Sequence, residues 1–136
     1  MVWFKRLIVL LLIYVGIVVV FESLIGVLQP QSDNTMVLTS AADGGATLNR
    51  VVTRIEVDGR LYAAVNHWPR AWYGQVLEDP EVNIAMEGAS APYRAANVTD
   101  PAEFAAVQAA RPLGMVIKLL TGFPPRRFVR FDPAAD

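Results

Sequence analysis

Apolar residues run unbroken from Leu7 to Phe21 (LIVLLLIYVGIVVVF), and after the single acid Glu22 the apolar character resumes through Leu24, Ile25, Val27 and Leu28. Leu7 to Leu28 is 22 residues; as a helix it reaches about 33 Å, enough for a hydrocarbon core of about 30 Å. Beyond it the pattern shortens to strands. Met36 to Ser40 predicts one strand and Ala42-Asp43-Gly44-Gly45 a turn. Asn49 to Val57 is rich in β-branched residues, and Asp58-Gly59 predicts a two-residue hairpin returning into Arg60 to Val65. Arg70 to Leu77 predicts a short helix with Trp72, Val76 and Leu77 on one face, ended by Asp79-Pro80. Val82, Ile84 and Met86 alternate with Asn83, Ala85 and Glu87, a half-buried strand that Gly88 turns back into Ala91 to Val98.

Asp100-Pro101-Ala102-Glu103 is a helix start: an N-cap acid, proline at the first helical position and glutamate at the third. That helix is expected to bury Phe104, Val107 and Ala110. Arg111-Pro112 and Gly114 interrupt it, Met115 to Leu120 adds a turn or two, and Phe128 to Phe131 closes the chain as a strand. Six short strands with helices inserted late predict a mainly β, α+β chain: an N-terminal transmembrane helix (1–28), a polar linker (29–35) and a small antiparallel barrel (36–133).

A cleaved signal peptide would have a shorter apolar core followed by a small-x-small site, and the residues from Glu22 to Pro30 offer none. A buried core helix is disfavoured because the rest of the chain is too small to surround a helix apolar on every side. Glu22 falls near the far end of the span, where a carboxylate reaches the interface. Lys5 and Arg6 precede the span and the next basic residue is Arg50, so the positive-inside bias places the N-terminus in the cytoplasm and the barrel outside. The expected location is a bacterial inner membrane crossed once. Of 12 basic and 13 acidic side chains, Lys5, Arg6 and Glu22 precede Gln29, leaving ten and twelve for the remainder. A near-neutral domain without a basic patch speaks against nucleic acid. Cysteine is absent, which removes disulfides and thiolate chemistry.

Candidate chemistry concentrates in Asn66-His67-Trp68-Pro69-Arg70-Ala71-Trp72-Tyr73, with the only histidine, an arginine and three large aromatics where a strand leads into a helix. Helix N-termini present unpaired N–H groups that favour anions, and Arg70 would add to that. The flat rings could cover a planar ligand, although Trp72 is as well explained by packing and His67 by a plain turn. No metal site is expected, and axial haem ligation by His67 is the less favoured option. No hydrolytic or phosphate-loop motif occurs, and no catalytic residue can be assigned.

The block Pro69-Arg70-Ala71-Trp72-Tyr73-Gly74-Gln75-Val76-Leu77-Glu78-Asp79-Pro80-Glu81-Val82-Asn83-Ile84 resembles the P-x-W-Y-x-N-L-x-x-x-P-x-V-x-V block of the deazaflavin-dependent nitroreductase family. The order around it is similar too: a Leu38-Thr39 strand, a glycine turn, a hairpin, the helix, a second hairpin, a helical insertion and a last strand. The resemblance covers about Met36 to Pro133 and implies a split β-barrel of the flavin-reductase and pyridoxamine-phosphate-oxidase kind. It implies a flavin or deazaflavin cofactor, with Arg50, Asn66, His67 and Arg70 orienting it and Trp72 and Tyr73 walling the pocket. The family's basic glycine turn is replaced by Ala42-Asp43-Gly44-Gly45, leaving Arg50 as the equivalent cation, and Trp68 stands where the family has histidine. A long polyanionic tail would meet Asp43 where it expects cations, so a neutral or singly charged planar ligand is expected to bind better. Two functions follow: a membrane-anchored oxidoreductase passing hydride or electrons to a lipophilic acceptor such as a quinone or nitro compound, or a non-catalytic barrel, with no cofactor, binding a planar or apolar ligand or a partner protein. A homodimer is among the expected assemblies.

Overall fold

The computed structural model describes residues 1–28, 32–66 and 71–135. Helix α1 (Val2–Leu28) is followed by strands β1 (Thr35–Ala41), β2 (Thr47–Val57) and β3 (Arg60–Val65), helix α2 (Ala71–Glu78), strands β4 (Glu81–Met86) and β5 (Ala89–Asn97), helices α3 (Pro101–Ala110) and α4 (Met115–Leu120), and strand β6 (Arg127–Pro133). The strands close an antiparallel barrel in the order β1-β2-β3-β6-β5-β4. Both tight hairpins follow from their turn residues. Asp58 (φ 51°) and Gly59 (φ 74°) join β2 to β3, and Glu87 (φ 53°) and Gly88 (φ 82°) join β4 to β5. Two successive positive φ angles give the turn whose twist matches that of the flanking strands. Closure uses β2 as a corner: Thr47 to Thr53 pair with β1, and Arg54 to Val57 pair with β3.

The two-residue period sorts the side chains into two clusters. Inside the barrel lie Met36, Leu38, Val52, Leu61, Ala63, Val65, Val82, Ile84, Ala95, Val129 and Phe131. Trp72 and Val76, one helical turn apart on α2, pack into the same cluster. Outside, Ile55, Tyr62, Val98 and Phe128 form a second cluster with Val107 of α3, and Phe104 packs against it. Asp100 caps α3 as expected, its carboxylate accepting from the Glu103 N–H at 2.8 Å. Leu77 and Ala110, expected in the core, are exposed. An eight-residue helix over the barrel end buries one narrow stripe, here Trp72 and Val76. Ala110 lies at the last turn of α3, past its one buried contact, Val107.

Helix α1 is, among the described residues, the one helix long and apolar enough to cross a membrane. Tyr14, Val18, Phe21, Glu22, Ile25 and Gly26 make a half-buried stripe along it, and its other faces are exposed. It meets the rest of the chain at α4, where the Tyr14 hydroxyl donates to the Leu119 carbonyl at 2.8 Å.

Candidate functional site

The barrel end at which β1, β3 and β5 finish and β2, β4 and β6 begin is covered by α2. Several inward-facing positions here are polar, Leu48 of β2 being an apolar exception. Arg50 stands directly opposite Leu38 on β1 and therefore on the same face; Leu38 is fully buried in the interior, and Arg50 is half-buried toward the rim. Asn97 and Arg127 hold the corresponding rim positions on β5 and β6, two residues beyond the buried Ala95 and two before the buried Val129. Tyr73 of α2 reaches both: its hydroxyl donates to Asn97 Oδ1 at 3.0 Å, and the Arg127 guanidinium sits 5.5 Å from its ring centroid. The Tyr73 ring also meets Trp72 edge-to-face at 6.4 Å. The Trp72 indole is 7% exposed, so it serves the interior packing.

Asn66, just past β3, belongs to an adjoining cluster on the outer side. Its Oδ1 accepts from Arg126 Nε at 3.0 Å. Arg126 also donates through Nη2 to the Arg111 carbonyl and lies 4.8 Å over the Phe128 ring. Burial, and secondly the charge of Arg111, pull the Arg126 pKa below its ordinary value. Among the described residues no carboxylate forms an ion pair with Arg50, Arg111, Arg126 or Arg127.

The structure therefore brings Asn66 and Tyr73 to one end of the barrel, bridged by the consecutive Arg126 and Arg127. Arg50 shares that rim from β2, on a stretch paired only with β1. His67 and Arg70, and the side chain of Asp43, lie outside the described residues. Arg111, Arg126, Arg127 and Asn97 carry much of the arrangement and were not singled out from sequence. The available signal was the Arg126-Arg127 doublet directly after Pro124-Pro125.

The mouth supplies guanidinium cations, amide groups and one aromatic face. On the same helix, Gln75 Oε1 is a buried acceptor without a hydrogen-bond partner among the described residues. This set fits a planar heteroaromatic ligand bearing N–H groups and a negative charge, held at the rim because Trp72 and Val76 fill the space beneath. A groove of about 840 Å³ crosses β4, β5 and the end of β6, away from that mouth. Its charged lining is Asp79, Glu81, Asp132 and Arg94, three acids to one base, and none of the residues proposed from sequence lines it. An anionic ligand is better served at the arginine-rich mouth.

Solved structures share this architecture. The chain is similar to an F420-H2-dependent reductase (14% identity over 73% of this chain and 94% of that one, TM-score 0.55). It is similar to an FAD-binding protein from Mycobacterium smegmatis (12% identity, 75% and 82% covered, TM-score 0.55) and to a chain solved as a domain-swapped dimer (14%, 75% and 82%, TM-score 0.59). The fold is a split barrel. No family model matches the chain, and no curated protein matches it. The expectation drawn from the resemblance thus holds for the split barrel, a fold shared here by flavin- and deazaflavin-type proteins.

Proposed function

We propose that this chain is a membrane-anchored split-barrel oxidoreductase that holds a flavin or deazaflavin at the α2 mouth and serves a lipophilic acceptor, a quinone or a nitro compound. The observation that carries it is the polar rim at the α2 end, where Tyr73 hydrogen-bonds Asn97 and packs under Arg127, and Arg50 faces inward from β2. The fold shared with an F420-H2-dependent reductase and an FAD-binding protein supports the choice of cofactor class. When bound, the flavin or deazaflavin supplies the hydride or electron pair. The chain's own contribution is orientation: Arg127 and Arg50 hold the ligand's negative charge, Tyr73 gives a ring face, Asn66 and Asn97 give amide contacts, and Trp72 keeps water out from below. His67 and Arg70 are assigned to the same rim from sequence. Helix α1 is taken as a single span of a bacterial inner membrane with the N-terminus in the cytoplasm; tethering raises the concentration of the barrel near a bilayer-dissolved substrate. A homodimer is part of the proposal, supported by the likeness to a domain-swapped dimer.

A second function, a barrel without catalysis that binds a planar ligand or a partner protein, is favoured by one feature. Tyr73 and Arg127 already partner each other, so a ligand must displace or extend an existing contact.

Absorbance of the detergent-purified full chain, followed by titration with flavin mononucleotide, a deazaflavin, haem and a menaquinone analogue, tests the reading. Flavin or deazaflavin binding that weakens in Arg127→Ala supports the oxidoreductase. Binding of none of the four rejects it in favour of the interaction module. A C-terminal reporter fusion that signals from the cytoplasm would reverse the orientation.

A further inference from the structure

Between Arg111 and Arg126 the chain reads Pro-Leu-Gly-Met-Val-Ile-Lys-Leu-Leu-Thr-Gly-Phe-Pro-Pro, apolar but for Lys118 and Thr121. Its only regular element is α4, six residues long, far too short to be helical in water by itself. Met115, Val116, Leu119 and Phe123 point away from the protein; Val116 is 69% and Phe123 55% exposed. A surface like this, next to a long apolar helix, needs a cover.

The helix end is built to do without water. Gly122 (φ 72°) takes the left-handed position after the helix, its N–H donating to Leu119 O while the Phe123 N–H donates to Lys118 O. This is the glycine-terminated closure that satisfies the last carbonyls internally. Thr121, with no exposed surface, adds its hydroxyl to Ile117 O at 2.7 Å, and Tyr14 of α1 adds its own to Leu119 O at 2.8 Å. Sealing of backbone carbonyls by protein groups is what a hydrocarbon surrounding demands.

Two further observations say what covers the segment. Its apolar surface is continuous with α1: a groove of about 490 Å³ runs between the helices, lined by Ile13, Ile17, Phe21 and Leu24 on one side and Leu120 on the other. Its two stems are cationic and tied together, Arg126 donating to the Arg111 carbonyl with Arg127 following, and no carboxylate among the described residues neutralises them. Apolar tip and arginine base match the acyl region and the phosphates of a bilayer.

We infer that residues 112–125 are a second membrane element, a loop that inserts its α4 tip into the bilayer beside α1 while Arg111 and Arg126 at its stems rest on lipid phosphates. This rests on the reading of α1 as a membrane span. Tyr14 lies eight residues before Glu22, about 12 Å along the helix, and α4 itself is about 9 Å long. The Tyr14–Leu119 hydrogen bond ties the end of α4 to the apolar run of α1, so the tip enters the bilayer alongside it. The split barrel is thereby held with its arginine-rich stems, and Tyr73 beside Arg127, turned to the lipid, so that an acceptor dissolved in the bilayer reaches the mouth without crossing water.

The cysteine-free full chain suits a direct test. Single variants Val9→Cys, Ser90→Cys, Val116→Cys and Phe123→Cys, each carrying an environment-sensitive fluorophore, are reconstituted into phosphatidylcholine vesicles containing phosphatidylglycerol and challenged with lipids spin-labelled along the acyl chain. Quenching at 116 and 123 by the shallow label, together with quenching at 9 and none at 90, is the expected result. Quenching at 9 with water-exposed labels at 116 and 123 overturns the inserted loop and leaves the span intact. Labels at 116 and 123 that are shielded yet untouched by the lipid quencher also overturn it, in favour of a second copy of the chain as the cover. No quenching at 9 removes the span and the inference with it.

Discussion

The two sides of the barrel treat their arginines in opposite ways. Under α3, Arg130 is held by Glu103 (3.0 and 3.1 Å) and Asp132 (3.0 Å), and the Tyr62 hydroxyl donates to the same Glu103 carboxylate at 2.9 Å. The Glu103 hydrogen bond, with Asp132 adding to it, raises the Arg130 pKa. At the α2 end and the stems of the 112–125 loop, Arg126 and Arg127 find ring faces, an amide and a carbonyl, and among the described residues no carboxylate pairs with them, with Arg50 or with Arg111. A cation matched by acids contributes to the fold and has little left to offer a ligand. A cation set left with neutral partners adds little stability and keeps its charge available. The comparison therefore separates a structural face from a binding face.

Phe128 stands where the two meet, edge-to-face with Phe104 at 5.0 Å on one side and under Arg126 on the other. It has no exposed surface, so Phe128→Ala should cost about 3–5 kcal/mol of stability, read by chemical denaturation. Loss of much less would mean that α3 contributes little to the barrel, and the face would lose its structural assignment. Glu103→Ala should follow at about 2 kcal/mol, because it strips a hydrogen-bonded carboxylate from a half-buried guanidinium and a buried phenol. Ligand affinity should be unchanged in that variant. A joint loss of stability and binding would show that the two faces are coupled.

Arg127→Ala sharpens the contrast from the other side. Removing a rim cation over Tyr73 should change stability by less than about 1 kcal/mol, yet weaken an anionic flavin or deazaflavin about tenfold, since one charge-assisted contact is worth roughly 1.4 kcal/mol or more. Unchanged affinity would move the candidate site away from the mouth.

Much of the fold was legible in the sequence because its signals are local. Asp58-Gly59 and Gly88 set the hairpins, the alternation of Val82, Ile84 and Met86 marked β4, and Asp100-Pro101 started α3. Leu77 and Ala110 were misplaced because helical periodicity says which residues share a stripe and not how far the stripe is covered. The site was legible only in part. Asn66 and Tyr73 stand close in the chain to the aromatic block that drew notice to them. Arg111, Arg126 and Arg127 come from the end of α3 and the start of β6, brought to the end of β3 by barrel closure, which no window of sequence displays.

The smallest effect concerns Tyr62, 2% exposed, whose hydroxyl proton is held by Glu103. Burial first, and then the Glu103 hydrogen bond and charge, raise its pKa above the ordinary 10.0. A raised folded-state pKa means that the native state keeps its proton where the unfolded chain gives it up. The resulting stability is complete below pH 10 and is lost as pH rises through the folded-state value. Tyr62→Phe should therefore cost about 1 kcal/mol at neutral pH, the worth of one hydrogen bond, and should flatten the alkaline decline that the parent chain shows above pH 10. Denaturation midpoints measured for both proteins on either side of pH 10 decide it. Parallel declines would show that the Tyr62 phenol is not the group responsible for the loss of stability above pH 10.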